Sequence, residues 1–414
     1  MENMNNNYFD SLNKCSRCGG CQAYCPIYYE TSREPFVARG KIELLENLQS
    51  GKVVWNNKLS EIFSTCLLCG ACTENCPNGV QADKLIMMAR KDLVANKGLP
   101  IIKKNLFQHL LRYNGRLNMA GKALYLYQKS GLRKLLGVLM PGDLTKVQAL
   151  LPDFASKPFR KKVPRINTVE RPLLKVAYFT GCVTNLINHN VGYSILKILN
   201  THGVEVIIPE QSCCGVPAFA SGDFATGKIL GKQNINHFNL KDIDYIVFDC
   251  ATCLSTWLDY PELLESEETL KFSRKLMDIN RFLVEVLDIK FKPFRIGKIT
   301  TYHDPCHLKR TENGKTAPRE LLRRLAPAYE YVEMGLADRC CGSAGSFNIS
   351  HYHLSQKIAS KKVMSIIESG ADIVVTACPS CMMQLSHALI NQKSDVVVKH
   401  LVELVADNMR DGRP

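Results

Sequence analysis

The stretch SCCGVPAFASG (residues 212–222) places two adjacent cysteines directly before a glycine, and RCCGSAG (residues 339–345) repeats this arrangement. Each doublet follows an apolar run that ends at a cysteine, LKVAYFTGC (residues 174–182) in one case and KITTYHDPC (residues 298–306) in the other. Corresponding cysteines of the two regions are separated by 124, 127 and 128 residues. This nearly constant offset predicts an internal duplication of one α/β unit.

Each repeat carries five cysteines, which fall at or just beyond predicted strand ends, the edge where open α/β sheets bind ligands. The first set is Cys182, Cys213, Cys214, Cys250 and Cys253, and the second is Cys306, Cys340, Cys341, Cys378 and Cys381. A zinc ion or an ordinary cubane takes four ligands, so a fifth thiolate permits a bridging position or a non-cubane cluster. An iron–sulfur centre is favoured in each repeat. A Cys₄ zinc site with a spare thiol and a redox dithiol at the C-x-x-C pair remain open.

Two further cysteine runs lie near the N-terminus, CSRCGGCQAYCP (residues 15–26) and CLLCGACTENCP (residues 66–77). Both have the C-x₂-C-x₂-C-x₃-C-P spacing of bacterial ferredoxins, in which the fourth cysteine of each run ligates the other cluster. The spacing predicts two [4Fe-4S] clusters with crossed ligands. These are Cys15, Cys18, Cys21 and Cys76 for the first cluster, and Cys66, Cys69, Cys72 and Cys25 for the second. C-x₂-C pairs also form zinc sites, but two matching runs that each end in C-P argue against zinc.

The periodicity of apolar residues predicts helices at residues 40–52 and 80–96, beside these runs. The first ten residues are polar and contain no apolar stretch of the kind found in secretory signals. No window approaches the roughly 18 apolar residues needed to span a bilayer. We therefore expect a cytoplasmic protein, in which a cysteine-rich chain indicates metal or redox chemistry rather than disulfides.

The chain has a formal net charge of +14, and most of this charge lies in one segment. Between Lys97 and Arg165 there are fifteen basic residues and two acidic residues, Asp143 and Asp153. Three interpretations are open: a solvated face, a docking surface for an acidic protein partner, or a contact with anionic lipid on the inner face of the membrane. Nucleic acid is not expected, because no aromatic–basic interleaving accompanies the charge.

The same basic segment contains two predicted amphipathic helices and ends in a predicted linker. Their apolar faces are formed by Leu106, Phe107, Leu110 and Leu111, and by Leu132, Leu135, Leu136 and Leu139. The stretch LPDFASKPFRKKVPR (residues 151–165) is rich in proline and charge, which is typical of a linker.

The order of these motifs resembles the iron–sulfur subunit of glycolate oxidase and its lactate and glycerol-3-phosphate dehydrogenase relatives. The resemblance covers nearly the whole chain and rests on RCGGCQAYCP, CLLCGACTENCPNGV, YFTGCVTN, SCCGVPAFASGD, YHDPCHL, CCGSAGSFN and CPSC. It implies a subunit that accepts electrons from an FAD-containing 2-hydroxyacid dehydrogenase subunit, acting on a substrate such as glycolate or lactate. The electrons would then pass through its clusters toward a quinone or another carrier.

The layout is also similar to the catalytic subunit of membrane-linked heterodisulfide reductase. In that family, complete five-cysteine sets hold non-cubane [4Fe-4S] clusters at which a disulfide is cleaved. Both sets are complete in this chain, so disulfide reduction is the alternative function. The resemblance implies one or two clusters beyond the N-terminal pair, with zinc in one of these sites as an alternative.

The expected fold class is α+β and multidomain. A 2[4Fe-4S] ferredoxin-like domain (residues 1–95) is followed by a basic helical connector (residues 96–170) and by two α/β domains. We call these the first CCG half (residues 171–294) and the second CCG half (residues 295–414).

Neither a G-x-G-x-x-G fingerprint nor a P-loop is present in the sequence, so the flavin-dependent step is expected on another subunit. Three polar residues flank Cys306 and are candidate hydrogen-bond donors to a cluster, namely His303, Asp304 and His307. A histidine near a strand end is more often structural, and that alternative remains open.

Overall fold

The computed structural model describes residues 11–130, 148–291 and 297–409. Its architecture confirms the predicted fold class, since helices form the N-terminal part and two largely parallel sheets follow. Part of the basic segment lies outside the described residues. This applies to the predicted apolar face of Leu132, Leu135, Leu136 and Leu139, and to Arg133, Lys134, Asp143 and Lys146.

Short helices surround the two N-terminal cysteine runs. Pro26 begins a helix directly after Cys25, because proline lacks the N–H that a first helical turn would leave unpaired. Asn56 caps another helix by accepting a hydrogen bond from the backbone N–H of Leu59 at 3.0 Å. The helices are Cys21–Tyr24, Pro26–Thr31, Ala38–Gln49, Asn57–Ser64, Ala71–Glu74 and Ala82–Lys97, with a 3₁₀ turn at Glu34–Phe36. Two of these confirm the helices predicted at residues 40–52 and 80–96.

The connector forms a helix at Ile101–Lys104, a π-helix at Asn105–Leu111 and a helix at Asn114–Lys129. Phe107 and Leu111 are buried in the core of the CCG halves, as their predicted apolar face requires. Leu106 was predicted on the same face but is 38% exposed. The reason is geometric, since adjacent residues of a helix point in directions roughly 100° apart.

The strands are β1 Ile166–Asn167, β2 Leu174–Phe179, β3 Val204–Ile207, β4 Tyr245–Phe248, β5 Leu276–Asp278, β6 Lys298–His303, β7 Tyr329–Tyr331, β8 Ile373–Thr376 and β9 Val397–His400. The sheet of the first CCG half has the order β1-β3-β2-β4-β5, in which β1 is contributed by the end of the connector, and the sheet of the second half has the order β7-β6-β8-β9. All neighbouring strands are parallel except β1, which pairs with β3 in the antiparallel sense. Without β1, the two halves have the same strand order, as the duplication predicts.

Helices connect these strands. In the first half they are Cys182–Leu186, His189–Thr201, Val216–Phe219, Phe224–Phe238, Ala251–Leu258, Tyr260–Leu264, Leu270–Ser273 and Ile279–Arg281, with a 3₁₀ turn at Glu267–Thr269 and a π-helix at Phe282–Val286. A further 3₁₀ turn at Phe159–Lys161 lies at the end of the connector. In the second half they are Thr316–Arg324, Phe347–Ser350, Tyr352–Glu368, Pro379–Asn391 and Leu401–Asn408.

The two sheets share their apolar cores. Alternate residues of a strand face opposite sides of a sheet, so β2 sends Phe179 into one core and Tyr178 into another. Each of these cores contains side chains from both CCG halves. A third core belongs to the N-terminal domain, and it includes Cys340, Phe347 and Ile358 of the second CCG half. The three parts of the chain are therefore packed against one another.

The segment predicted to be a linker is instead fixed to the first CCG half, and that prediction is wrong. The Phe159 ring is fully buried and lies against Gly192, where a Cβ atom would come within 2.6 Å of it. Arg160 donates a hydrogen bond to the Gln211 carbonyl at 2.6 Å, and burial lowers its pKa to about 10. Strand β1 follows these residues and extends the first sheet. The proline and charge content of the segment is typical of an exposed linker and does not predict that the Phe159 ring is buried.

We expect His400 to make stability depend on pH. This residue caps the helix Leu401–Asn408: its Nδ1 accepts from the Val402 N–H, and its Nε2–H donates to the Asp249 carbonyl at 2.9 Å. Burial lowers its pKa from 6.5 to about 4. The folded protein therefore binds this proton less readily than the unfolded chain does. The free energy of unfolding therefore keeps its full value above about pH 6.5 and falls as the pH drops toward 4. At pH 5 the loss is roughly 2 kcal/mol.

The measurement is the midpoint of anaerobic urea denaturation at pH 7.5 and pH 5.0. His400→Gln keeps a side-chain donor but cannot become charged, so its loss of stability between the two pH values should be smaller. His109→Gln, at an exposed histidine of the connector, is the matched control and should behave like the wild type. An identical pH response in all three proteins would contradict the prediction.

Candidate metal centres

The first cavity of the N-terminal domain is partly open to solvent. Five thiols line it, those of Cys15, Cys18, Cys21, Cys72 and Cys76. The structure thus brings the last cysteine of the second run beside three cysteines of the first. Gly19 adopts a φ of +81°, which an L-residue rarely adopts, in the tight loop between Cys18 and Cys21.

The second cavity is less open to solvent than the first. Its thiols are those of Cys25, Cys66, Cys69 and Cys72. Backbone N–H groups point at two of these sulfurs: Tyr28 donates to Cys25 Sγ at 3.5 Å and Leu68 to Cys66 Sγ at 3.4 Å. Burial raises the pKa of the Cys25 thiol to about 12, so a bound cation is needed to hold the thiolate form. Backbone N–H donors beside these buried thiols would stabilise the negative charge of a bound cluster.

A buried lysine and a half-buried arginine lie beside the second cavity, and the spacing of the cysteines gave no indication of them. Lys41 is 1% exposed, lines the cavity and donates a hydrogen bond to the Phe36 carbonyl. Burial lowers its pKa, and among the described residues no carboxylate lies within salt-bridge distance of it. Arg90 donates to the carbonyls of Cys66, Phe63 and Ser64. Both positive charges face thiols that would carry negative charge.

We expect Lys41→Met to lower the reduction potential of the centre in the second cavity. The cation favours the more negative, reduced state, and methionine keeps most of the volume without the charge. At an effective dielectric constant near 20, a unit charge about 8 Å away contributes about 2 kcal/mol, or roughly 90 mV for a one-electron couple. Potentiometric titration followed by EPR measures this shift.

Lys52→Met is the matched control, because Lys52 is exposed and its charge is screened by water. It should leave the potential unchanged within about 20 mV on the same dielectric argument. If the two variants shift the potential equally, or if Lys41→Met raises it, the electrostatic role given to Lys41 is wrong.

The five thiols of the first CCG half form one group at the carboxyl end of its sheet. Cys182 and Cys213 are within hydrogen-bonding contact, as are Cys214 and Cys253, and Cys253 in turn contacts Cys250. Gly215 has a φ of +87°, which lets the chain turn sharply after the doublet. Beside this turn, Cys213 contacts Cys182 and Cys214 contacts Cys253 of the C-x-x-C pair, and all five thiols are buried or half-buried.

The second CCG half gathers its five thiols in the same way. The Cys306 thiol contacts Cys340, the Cys378 thiol contacts Cys381, and the Sγ atoms of Cys341 and Cys381 are 3.6 Å apart. The backbone N–H of Gly342 donates to Cys340 Sγ at 3.5 Å.

The three polar residues that flank Cys306 have different surroundings. Asp304 accepts two hydrogen bonds from the Arg319 guanidinium, at 2.9 and 2.7 Å, and so forms a structural ion pair. His307 Nδ1 lies 3.7 Å from Cys306 Sγ and 3.4 Å from the Thr252 hydroxyl of the first half. His303 is fully buried beside Cys341 and Cys381, and one ligand atom from each of these three residues lies within 4.8 Å of the other two.

The four thiol groups lie in a continuous series. Cys72 lines both N-terminal cavities. Cys69 of the second cavity contacts Cys340 of the second CCG half, and Cys378 of that half contacts Cys250 of the first. The order in space is therefore first cavity, second cavity, second CCG half and first CCG half, which differs from the order in the sequence.

Ion pairs hold the second cavity against the second CCG half. Arg310 Nη1 lies 2.7 Å from Asp83 Oδ2 across this contact. Burial raises the pKa of Asp83, but the nearby guanidinium outweighs this effect and the pKa lies below its usual value. Lys309 Nζ lies 2.8 Å from Glu74 Oε2 beside it. These contacts join elements more than two hundred residues apart in the chain.

All eighteen cysteines are free thiols, and their groups define the chain as a multicentre iron–sulfur protein. Comparison with family models agrees with this class. A 4Fe-4S dicluster domain matches residues 11–80, and a cysteine-rich CCG domain matches twice, at residues 176–257 and 300–386. A third model, the linker region of the glycolate oxidase iron–sulfur subunit, matches residues 98–151.

The chain belongs to the family of glycolate oxidase iron–sulfur subunits. It is 33% identical to the probable glycolate oxidase iron–sulfur subunit of Bacillus subtilis strain 168, with 96% of this chain and 94% of that one aligned. Lactate utilization protein A of Exiguobacterium sp. is 30% identical over 57% of this chain and 99% of its own length. A subunit of the dihydromethanophenazine:CoB–CoM heterodisulfide reductase of Methanosarcina barkeri is 29% identical over 96% of this chain and 93% of its own length.

A solved structure shares the fold. The crystal structure of a hypothetical protein from Helicobacter pylori matches with a TM-score of 0.52 and 11% identity, covering 91% of this chain and 68% of that one. In the part of the chain that the structure describes, no helix combines the length and the apolar character needed to cross a bilayer.

Proposed function

We propose that the chain is the electron-transfer subunit of a flavoprotein 2-hydroxyacid dehydrogenase complex that oxidises glycolate or lactate. The observation that carries this proposal is the continuous series of four thiol groups, which is what a relay across the protein requires. Membership of the glycolate oxidase iron–sulfur subunit family supports the same conclusion. The bound iron–sulfur groups would supply one-electron redox chemistry, which the side chains cannot provide.

The thiol groups indicate which residues would hold each centre. Cys15, Cys18, Cys21 and Cys76 would hold one [4Fe-4S] cluster, and Cys25, Cys66, Cys69 and Cys72 would hold the other. Each CCG half would hold a further centre on its own five cysteines. The fit is good, because thiols converge in each group, backbone N–H groups point at several sulfurs, and the buried Lys41 would offset negative charge in the second cavity.

The flavin-dependent oxidation would take place on a partner subunit. Removing two electrons from a hydroxy acid needs an acceptor such as FAD, and this chain would receive those electrons one at a time. The N-terminal end of the series or the first CCG half would face the flavoprotein, and the opposite end would face the final acceptor.

The test is reduction of the chain by its partner. The chain and the flavoprotein subunit are purified together anaerobically, glycolate or lactate is added, and cluster reduction is followed by EPR. We expect reduction only when substrate and flavoprotein are both present. If neither substrate reduces the clusters, while a thiol–disulfide couple is turned over by the chain, the complex is a disulfide reductase and the proposal fails.

We further propose that the connector contacts an anionic membrane surface. Its helices expose apolar side chains beside basic ones, a combination typical of helices that lie in the membrane interface. The exposed apolar residues are Ile101, Ile102, Leu106, Met119 and Leu126, and the exposed basic residues are Lys104, Arg116, Lys122 and Lys129. A quinone acceptor lies in lipid, so this contact would bring the relay close to it.

We expect the chain to sediment with vesicles of equal parts phosphatidylglycerol and phosphatidylcholine, and not with phosphatidylcholine alone. Each basic residue near an anionic surface contributes about 1 kcal/mol, so Lys104→Glu combined with Lys122→Glu should weaken binding at least about tenfold. Raising the salt to 1 M should have a similar effect, since the Debye length falls to about 3 Å.

Lys241→Glu combined with Lys271→Glu changes the net charge equally but at exposed sites of the first CCG half, and this control should still bind. Arg160 is left unchanged, because it is buried and its replacement would disturb the fold. Equal loss of binding in both double variants, or binding only when the flavoprotein is present, would overturn the membrane contact.

A further inference from the structure

His303 is a buried histidine whose ring nitrogens lack a hydrogen-bond partner of normal geometry among the described residues. It ends strand β6 and is 0% exposed. Neither Nδ1 nor Nε2 has a hydrogen-bond partner of normal geometry among the described residues, and the polar group that interacts with the ring is the Cys341 thiol. Leaving a buried polar group unpaired costs on the order of 1–3 kcal/mol, so such a group in a folded protein calls for a ligand.

The surroundings of this ring show which ligand chemistry fits. One ring nitrogen and the Sγ atoms of Cys341 and Cys381 all lie within 4.8 Å of one another. The two sulfurs are 3.6 Å apart. A tetrahedral metal atom with metal–sulfur bonds of about 2.3 Å has its sulfur ligands about 3.8 Å apart. The two thiols are therefore spaced like two ligands of one metal atom, and the imidazole is positioned to be a third.

The duplication provides an internal comparison. Strands β2 and β6 correspond at an offset of 124 residues, which aligns His303 with Phe179. Phe179 packs with aromatic neighbours, its ring centroid lying 5.3 Å from that of Phe248 and 5.4 Å from that of Trp257. The same sheet face is apolar in the first half, whereas the second half places an imidazole there.

Two hydroxyl groups add to the polar character of this face in the second half. Thr376 pairs directly with His303 in the sheet, and Thr301 lies two residues before it, so both are on the same face. Neither hydroxyl has a hydrogen-bond partner among the described residues. Metal-bound imidazoles usually donate their second N–H to a nearby acceptor, and these hydroxyls are suitable acceptors.

We infer that His303 is a nitrogen ligand to a metal atom of the second CCG centre, shared with the thiolates of Cys341 and Cys381. The inference rests on one part of the proposed function, namely that the second CCG half holds a metal centre. Imidazole and thiolate together bind both iron and zinc, so the metal atom belongs either to an iron–sulfur cluster or to a zinc site. The first centre would have thiolate ligands only. If the metal is iron, a neutral imidazole nitrogen among the thiolate ligands would make the second centre electronically different from the first.

The test uses the full-length chain, purified anaerobically after labelling with ¹⁵N-histidine. His303→Phe introduces the residue found in the first half, and His303→Gln removes the ring. His189→Gln is the matched control, because His189 is also buried but both of its nitrogens have partners away from the cysteines. Iron and zinc are quantified, pulsed EPR detects histidine nitrogen coupled to a cluster, and X-ray absorption at both metal edges reports the ligands.

For an iron centre, we expect a histidine ¹⁵N coupling in the wild type and in His189→Gln that both His303 variants lose. For a zinc centre, we expect about one zinc per chain with mixed nitrogen and sulfur ligands, and loss of the nitrogen or of the metal in the variants. The signals of the N-terminal clusters report whether each variant has folded.

The inference is overturned if the wild type shows neither a histidine nitrogen on a cluster nor zinc with a nitrogen ligand, whether or not the variants fold. It is also overturned if the nitrogen signal persists in folded His303→Phe. Substrate-driven reduction of the N-terminal clusters is measured after the purified flavoprotein subunit is added to a portion of the same wild-type sample. Reduction without a nitrogen ligand refutes only the role of His303, while absence of reduction refutes the proposed function.

Discussion

Replacing Cys76 by alanine is expected to abolish the cluster of the first cysteine run, although Cys76 belongs to the second run in the sequence. Its thiol lines the first cavity with Cys15, Cys18 and Cys21. A cubane held by three of its four thiolates is open to solvent and is readily lost in this exposed cavity. We expect about four fewer iron atoms per chain and the loss of one of the two N-terminal EPR signals.

Reference variants assign the signals without relying on the crossed arrangement. Cys18 lines only the first cavity and Cys66 only the second, so Cys18→Ala and Cys66→Ala each identify one cluster. The spectrum of Cys76→Ala should match that of Cys18→Ala, and Cys25→Ala should match Cys66→Ala. The opposite match would mean that each run ligates its own cluster.

The second large effect is expected in the CCG halves, where Cys214→Ser and Cys341→Ser should each remove one centre and spare the other. Cys214 contacts only thiols of the first half, and Cys341 only thiols of the second. Serine cannot supply a thiolate, so the affected centre loses one of its five cysteine ligands. Iron and zinc content, with EPR of the reduced and oxidised states, measures the loss.

The junction between the halves provides the contrasting variants. Cys250 and Cys378 contact one another across it, so replacing either by serine should perturb both centres. If Cys214→Ser removes the signals of both halves while the N-terminal clusters persist, the halves share a single centre. Detection of zinc alone in both halves would exclude iron–sulfur centres there.

The local features of this protein follow from its sequence. The ferredoxin spacing predicts that three thiols of each run lie around one small volume, because two-residue intervals in a tight loop leave no other arrangement. The duplicated strand–cysteine pattern likewise predicts that five thiols meet at one sheet edge in each half, since parallel strands end on the same side. The helices at residues 40–52 and 80–96 follow from apolar periodicity.

The tertiary structure alone decided how these groups are arranged relative to one another. The contacts of Cys69 with Cys340 and of Cys250 with Cys378 join residues 271 and 128 positions apart, and no local pattern encodes such a contact. His303 is close to Cys306 in the sequence, but its side chain extends from β6 toward Cys341 and Cys381.

The sequence also does not predict which charged side chains are buried. Lys41 lies in an amphipathic helix where a lysine is ordinarily exposed, and only packing against the Phe36 carbonyl and the second cavity encloses it. The linker was mispredicted for the same reason, because the burial of Phe159 depends on a gap above Gly192 in a different element. Spacing along a chain determines which ligands can converge locally, whereas burial and contact between distant segments depend on the whole packed core.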